Sequence, residues 1–427
     1  MEGFLLEYGN LLLRWLHVIA AIAWIGESIY FVMLDLSLRA PKSELSRNAG
    51  VAGELWAVHG GGFYHNQKYQ TAPAELPQDL HWSFWKAYTT WLSGFALFTL
   101  LYLLKPQFYL VNPASPWAWA AGMSGGEAGL LAVAFLVIGY IVYSRMCCLI
   151  SPTMQRDGIL SVAVGVMMVV VAWLTTQIFP GRAAFLITGA LMATCMSANV
   201  FFWIIPGQRR MVNAMKAGEA PNPLDGKRGK QRSVHNTYFT LPVVFLMLSN
   251  HYSFTYTNEY AWIIMSLFIF AGAVIRQYFV LRHVGKNDLK LPVIGIILLA
   301  LIGWLAAPSP APTPAPTSAP TTNQPAAAAG QTAAAGTEQV AAAGTDAITI
   351  DQVHSIIVAR CTECHSAKPT QPGFPSAPAG IMLDTNAETL MHAAQIKQVV
   401  ASKYMPLANL TKMTDEERAV IAGWNGK

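Results

Sequence analysis

From its N-terminus to about residue 307 the chain alternates long apolar runs with short polar ones. A helix needs about 20 apolar residues to cross a bilayer. Eight such stretches stand out, at residues 11–33, 84–104, 128–150, 159–179, 183–205, 238–256, 260–281 and 291–307. The sixth is the most interrupted, by Pro242, Asn250 and His251. The first exceeds a signal-peptide core in length and is preceded by Glu2 and Glu7, so it reads as an uncleaved span. Residues 308–345 then form a tract of Ala, Pro, Thr, Gln and Gly whose single charge is Glu338. This composition predicts a flexible tether, stiffer at its Pro-rich start, with an end-to-end distance on the order of 35 Å. Beyond it the periodicity becomes helical again. Apolar residues follow Ile350 at helical spacing, and Thr414 with Glu417 forms a capping box before Val420, Ile421 and Trp424. The expected fold class is all-α, with an eight-span membrane domain (1–307), a linker (308–346) and a small helical domain (347–427).

Composition supports a membrane protein, with 53% hydrophobic and only 12% charged residues. Basic residues set the orientation. Sixteen Lys and Arg fall in the loops after the first, third, fifth and seventh spans, against Lys105 and Arg182 in the intervening loops. The odd-numbered loops are therefore expected in the cytoplasm and both termini outside. The basic stretch at 206–232 is explained by this topology and calls for no nucleic acid.

The strongest chemical signal is Cys361-Thr-Glu-Cys364-His365. Two thiols three positions apart can bond both vinyl groups of one haem, leaving the adjacent histidine as proximal iron ligand. The bland alternatives are a chance pentapeptide or a zinc knuckle, which needs two further ligands and finds only His354 and His392 nearby. In bacteria haem c is attached on the outer, oxidising side, in accord with the charge asymmetry. The expected location is the inner (cytoplasmic) membrane with the haem domain periplasmic. About 80 residues is little for a core, and a covalent haem supplies apolar bulk. The segment resembles a class I cytochrome c domain. That resemblance implies a methionine in a Met-Pro turn as sixth ligand, which Met405-Pro406 matches; Met382, Met391 and Met413 are the rivals. Cys147, Cys148 and Cys195 lie in apolar helices and read as packing residues.

Polar groups within spans are costly and hence functional candidates. His17 and His251 both fall near the outer face and form a candidate bis-histidine haem b site; the alternative is that each hydrogen-bonds a neighbouring helix. The cytoplasmic side carries His59-Gly60-Gly61-Gly62, His65, His81, His235, Arg276 and His283. An Arg with Gln and aromatic neighbours suits a flat anion, and three glycines let a backbone approach a ligand. Equally, a glycine-rich loop can be only a loop, and aromatic residues at span ends an interfacial belt. His59, His65, His235 and Arg276 are the candidate catalytic set.

The runs Arg14-Trp-Leu-His-Val-Ile-Ala-Ala-Ile-Ala-Trp-Ile-Gly-Glu27, His59-Gly-Gly-Gly-Phe-Tyr64 and His235-Asn-Thr-Tyr-Phe-Thr-Leu-Pro-Val-Val-Phe-Leu-Met-Leu-Ser-Asn-His-Tyr252 resemble the membrane-bound urate oxidase (urate hydroxylase) family. The resemblance implies an eight-span domain followed by a cytochrome c domain. It also implies oxidation of urate to 5-hydroxyisourate, with electrons passing to the c-type haem and on to a terminal oxidase or soluble cytochrome c. It carries Cys361, Cys364 and His365 over as haem residues and implies no particular urate pocket. The competing readings are a non-catalytic respiratory subunit passing electrons from quinol to the cytochrome, and a transporter with a cytochrome sensor.

Overall fold

The computed structural model describes residues 2–69, 73, 76–307, 348–371, 374, 377–378, 381–401 and 403–426. The tether expected at 308–346 lies outside the described residues. The chain divides into two compact units, one of Met1–Ala306 with Gln398–Met413, the other of Ala307–Lys397 with Thr414–Lys427.

The first unit is mostly helical. Its helices are α1 (Glu2–Ser37), α2 (Glu44–Asn48), α3 (Trp85–Phe98), α4 (Pro106–Tyr109), α5 (Ala118–Ala121), α6 (Gly125–Ile150), α7 (Asp157–Ile178), α8 (Gly181–Ala198), α9 (Ile205–Lys216), α10 (Pro223–Leu248), α11 (Ser253–Tyr256), α12 (Ala261–His283) and α13 (Lys290–Ala306). Among the described residues five helices are long and apolar enough to cross a membrane: Tyr8–Ser37, Gly125–Ile150, Asp157–Ile178, Gly181–Lys216 and Ala261–Arg282. The other three expected spans fall on shorter or more polar helices. The second lies on α3 with its π-helical extension Thr99–Leu103, the sixth on the apolar half of α10, and the eighth on α13.

The helix Gly181–Lys216 is continuous but not uniform: Asn199–Ile204 is π-helical between α8 and α9. Pro206 explains the change, because it has no N–H for the carbonyl four residues back and its ring crowds that turn. Helices cross closely where glycine removes a side chain. A Cβ on Gly181 would lie 2.0 Å from the Tyr256 carbonyl oxygen, one on Gly139 2.6 Å from Leu191, and one on Gly272 2.8 Å from Pro242. Around these crossings Tyr143, Leu160, Met168, Phe185, Leu191, Cys195 and Leu246 form one fully buried core. Cys148 is partly buried at the end of α6.

The all-α expectation needs one correction. The long first loop contains an antiparallel hairpin, β1 (Val51–His59) and β2 (Gly62–Tyr69), pairing His59 with Gly62 and Trp56 with His65. Gly60 and Gly61 have φ of 58° and 78°, the doubly positive pair of a type I′ turn that glycine adopts without strain. The glycines therefore turn a hairpin.

The second unit holds α14 (Ile350–Arg360), α15 (Asn386–Met391) and α17 (Asp415–Gly423), with α16 (Ala393–Ala401) running from it into the first unit's segment. Both hydrogen bonds of the Thr414–Glu417 capping box are made, and equivalent boxes start α14 at Thr349 and α15 at Thr385. Arg360 bridges Glu417 at 2.9 Å, joining the end of α14 to the start of α17 above buried Ile357, Ile421 and Trp424.

Candidate functional site

In the second unit, α14 ends at Cys361 and a tight turn carries the chain through His365, whose amide donates to the Cys361 carbonyl at 2.8 Å. Both cysteines are free thiols. Burial pushes the Cys361 thiol up to about 12 and raises Cys364 as well. The His365 ring is part-buried; burial lowers its pKa, opposed by its bond to Ile381, and so favours the neutral, ligating form. Its Nδ1 lies 3.1 Å from the Ile381 carbonyl oxygen, which fixes the proton on Nδ1 and leaves Nε2 as the coordinating nitrogen. This is how proteins orient a metal-bound imidazole. The residues therefore fit a covalently held haem, which Cys361 and Cys364 would bond and His365 would ligate. Among the described residues no group of three or more His, Cys, Asp or Glu side chains is placed to hold a metal ion. Met405 belongs to the Gln398–Met413 segment of the first unit. Of its rivals, Met382 and Met391 are exposed and Met413 is buried.

The histidines of the first unit are dispersed. His17 Nδ1 is 3.0 Å from both the Thr90 carbonyl and the Ser93 hydroxyl of α3, and its ring fills the space left by Gly94. His251 is exposed in the 3-10 turn Ser249–His251. On the hairpin, His65 stacks on Trp56 with ring centroids 4.1 Å apart and binds Glu54 at 3.0 Å. His59 is exposed at the turn. His81 lines a polar cleft of about 510 Å³ with Asp79, Trp82, Asn213 and Lys216. Arg276 is buried on α12 beside Gln277, which accepts from the Tyr238 hydroxyl.

His235 stands in a different setting. On α10, Arg232, His235 and Asn236 share one face by their i, i+3, i+4 spacing, and all three are buried. Tyr143 of α6 places its hydroxyl 2.8 Å from His235 Nδ1. Asn199, at the start of the π-helical turn, donates from Nδ2 to the Tyr143 hydroxyl and to Asn236 Oδ1, both at 2.9 Å. The Cys147 sulfur lies 3.9 Å from His235 Nδ1. The Arg232 guanidinium sits 5.3 Å from the Tyr143 ring centroid and 4.8 Å from that of Trp203. It donates weakly to the Ser144 carbonyl at 3.4 Å. The nearby acid Asp157 accepts instead from Ser151 and Gln231.

A second polar group occupies the opposite end of the bundle. There Asn250 Oδ1 accepts from Arg182 Nε at 3.2 Å and from the Tyr102 hydroxyl at 3.4 Å. Arg232 and Asn250 are separated by roughly 27 Å of helix at 1.5 Å per residue, about one hydrocarbon thickness. The two groups therefore belong to opposite ends.

Of this cluster the sequence pattern singles out His235 alone and passes over Arg232, Asn199 and Tyr143. In one dimension Arg232 is a loop charge, and only its spacing from His235 and Asn236 points inward. Asn199 is a polar residue inside an apolar stretch, a signal that could have found it.

A family model described as Urate oxidase N-terminal matches residues 3–307. No curated protein and no solved structure matches the chain. Because that match covers well over half of the chain, and includes the α6–α8–α10 cluster and the hairpin, the chain belongs to the urate oxidase N-terminal family.

Proposed function

We propose that the protein is a membrane-bound oxidoreductase that converts urate to 5-hydroxyisourate and delivers the electrons to a c-type haem on its own C-terminal domain. The observation that carries the reading is the family match over residues 3–307 joined, in one chain, to the Cys361–His365 motif. In this reading the membrane domain has eight spans with both ends outside, in a bacterial inner membrane. Residues 347–427 form a class I cytochrome c-like domain on the periplasmic side.

Cys361 and Cys364 would hold the haem through thioethers, His365 would ligate it through Nε2, and Met405 is the candidate for the remaining ligand. The bound haem supplies a one-electron acceptor, so two transfers are needed per urate. The urate monoanion loses two electrons and one proton, and the resulting dehydrourate adds one water across C5 to give 5-hydroxyisourate. The electrons leave singly and pass on to a terminal oxidase or soluble cytochrome c.

Urate arises in the cytoplasm, and the basic asymmetry supports a cytoplasmic position for the Arg232, His235 and Arg276 end of the bundle. A buried histidine at that end is suited to receive the proton. A haem b on His17 and His251 is proposed as an intermediate carrier. His17, with Nδ1 taken by Thr90 and Ser93, keeps Nε2 for such a role.

The test uses membranes containing the whole chain, kept anaerobic and free of quinol. Urate should reduce the haem, and reduction by quinol alone would overturn the enzymatic reading in favour of an electron-transfer subunit. A pyridine haemochrome spectrum counts the haems; a c-type signal without a b-type one removes the His17–His251 site.

A further inference from the structure

The closed cluster between α6, α8 and α10 holds two polar atoms whose hydrogen-bonding capacity is unmet. Arg232 is 2% exposed, and its Nη1 makes no hydrogen bond. A buried cation with no carboxylate on it is expensive to maintain. Asn199, hydrogen-bonded to the same Tyr143, is wholly buried and gives both amide hydrogens away, while its Oδ1 accepts none. One orphan is therefore a charged donor and the other a neutral acceptor. An inorganic anion without a proton, such as sulfate, would satisfy the first and leave the second unpaired. A planar heterocyclic anion with a carbonyl oxygen beside a ring N–H satisfies both.

We propose that Arg232, Asn199 and the Tyr143–His235 pair form the seat of the urate monoanion, an inference that rests on the functional reading above. Arg232 Nη1 binds an anionic oxygen of the ring, and Asn199 Oδ1 accepts from a ring N–H. In the proposed arrangement the Tyr143 hydroxyl, which accepts from Asn199, donates its own hydrogen to His235 Nδ1, and the imidazole proton sits on Nε2. When urate gives up its two electrons, its proton passes to the Tyr143 oxygen as the Tyr143 hydrogen moves to His235 Nδ1. The tyrosine is regenerated and the proton ends on the imidazole, while the two electrons leave one at a time through the intermediate carrier of the functional reading to the haem acceptor. Entry requires a side chain to turn aside, since the guanidinium is covered. Trp203 is the residue so placed, in the π-helical turn Asn199–Ile204 where the regular ladder is already displaced.

The test measures urate binding by anaerobic equilibrium dialysis. It uses the full chain carrying Cys361→Ser and Cys364→Ser, which prevents haem attachment and hence turnover. In that background Arg232→Lys keeps the charge but loses the planar fork. It should weaken urate binding roughly tenfold or more, the ordinary loss of a hydrogen bond to a charged group. Asn199→Ala should weaken it severalfold. Arg182→Lys, at the opposite end, should leave binding unchanged. In the haem-bearing chain Tyr143→Phe should keep KM and lower kcat, a split that a purely structural tyrosine would not give. Unaltered binding in both Arg232→Lys and Asn199→Ala, or loss of binding in Arg182→Lys alone, overturns the site. If urate reduces the haem of the unaltered chain while Arg232→Lys keeps its KM, the site falls and the function stands. If urate neither binds nor reduces the haem, both fall.

Discussion

Glu54 ties the hairpin to the segment that precedes it. Its Oε1 accepts from the Lys42 backbone N–H at 3.0 Å, and its Oε2 meets His65 Nε2 at 3.0 Å beneath the Trp56 stack. The Lys42 amide, with His65 adding, holds this carboxyl below the usual carboxylate range. A depressed carboxylate contributes stability above its unfolded pKa of about 4.3, and that contribution is lost as pH falls through the folded value. Protection of the hairpin amides, taken relative to their intrinsic exchange rates, should therefore fall below about pH 4, and Glu54→Gln should already lower that protection at pH 7. An unchanged exchange rate in Glu54→Gln would remove Glu54 from this role. At the proposed haem residues, Cys361→Ser or His365→Ala should abolish urate-driven electron flow while leaving the apolar helices inserted; unchanged oxygen uptake with urate would show that the proposed haem is not the acceptor. Met405→His should retain haem but slow turnover, because replacing a thioether by imidazole lowers the potential. A near-infrared Met–iron band that survives in Met405→His and disappears in Met413→Ala would reassign the ligand.

Elements respond to single residues where the backbone is committed. Gly60 and Gly61 both have positive φ, and a Cβ added at either would meet no heavy atom, so space is no obstacle and conformation decides. Gly60→Val should therefore cost about 1–2 kcal/mol of local hairpin stability, while Gly60→Asn is tolerated. Limited proteolysis at residues 51–69 reads the difference, and equal cleavage of the two variants would contradict it. Thr414→Ala removes a cap whose side chain accepts from the Glu417 amide. A loss of about 1 kcal/mol is expected, seen as a lower midpoint for haem-absorbance melting with an unchanged reduction potential. The capping box is legible in the sequence because its signal is local, four residues long and independent of any partner. The hairpin leaves a local signal too, glycines between two runs of mixed polarity. In one dimension it reads as a ligand loop, because a motif alone does not tell a turn glycine from a binding glycine.

At the scale of the molecule, helix crossings decide stability. Gly181 has a backbone carbonyl where a side chain would go, and a carbonyl cannot swing away as a leucine can. Gly181→Ala should thus destabilise the bundle by about 1–3 kcal/mol in detergent melting; a midpoint equal to the parent's would mean the crossing relaxes freely. Residues 1–307 and 347–427, expressed as separate chains, should lose urate-driven haem reduction at micromolar concentration and recover it as the C-terminal part is raised toward millimolar, on the order of the effective concentration that covalent linkage can provide. Full activity of the separated chains at micromolar concentration would show that covalent linkage is dispensable.

Apolar run length determined, by itself, a mostly helical chain with helices long enough to cross a membrane, and the Cys-x-x-Cys-His spacing a haem-type motif after the last apolar helix. Each is a one-dimensional property: a bilayer selects for length, and a haem for the separation of two thiols. Which polar residues meet was decided only in three dimensions. His59 and His65 share the sequence neighbourhood of the glycine run but stand on an exposed hairpin. Arg232, Tyr143 and Asn199 come from three helices that are far apart in sequence, yet they enclose one buried cluster. Periodicity assigns a residue to a face of its own helix. The neighbour that face meets depends on how glycine and proline let the helices cross.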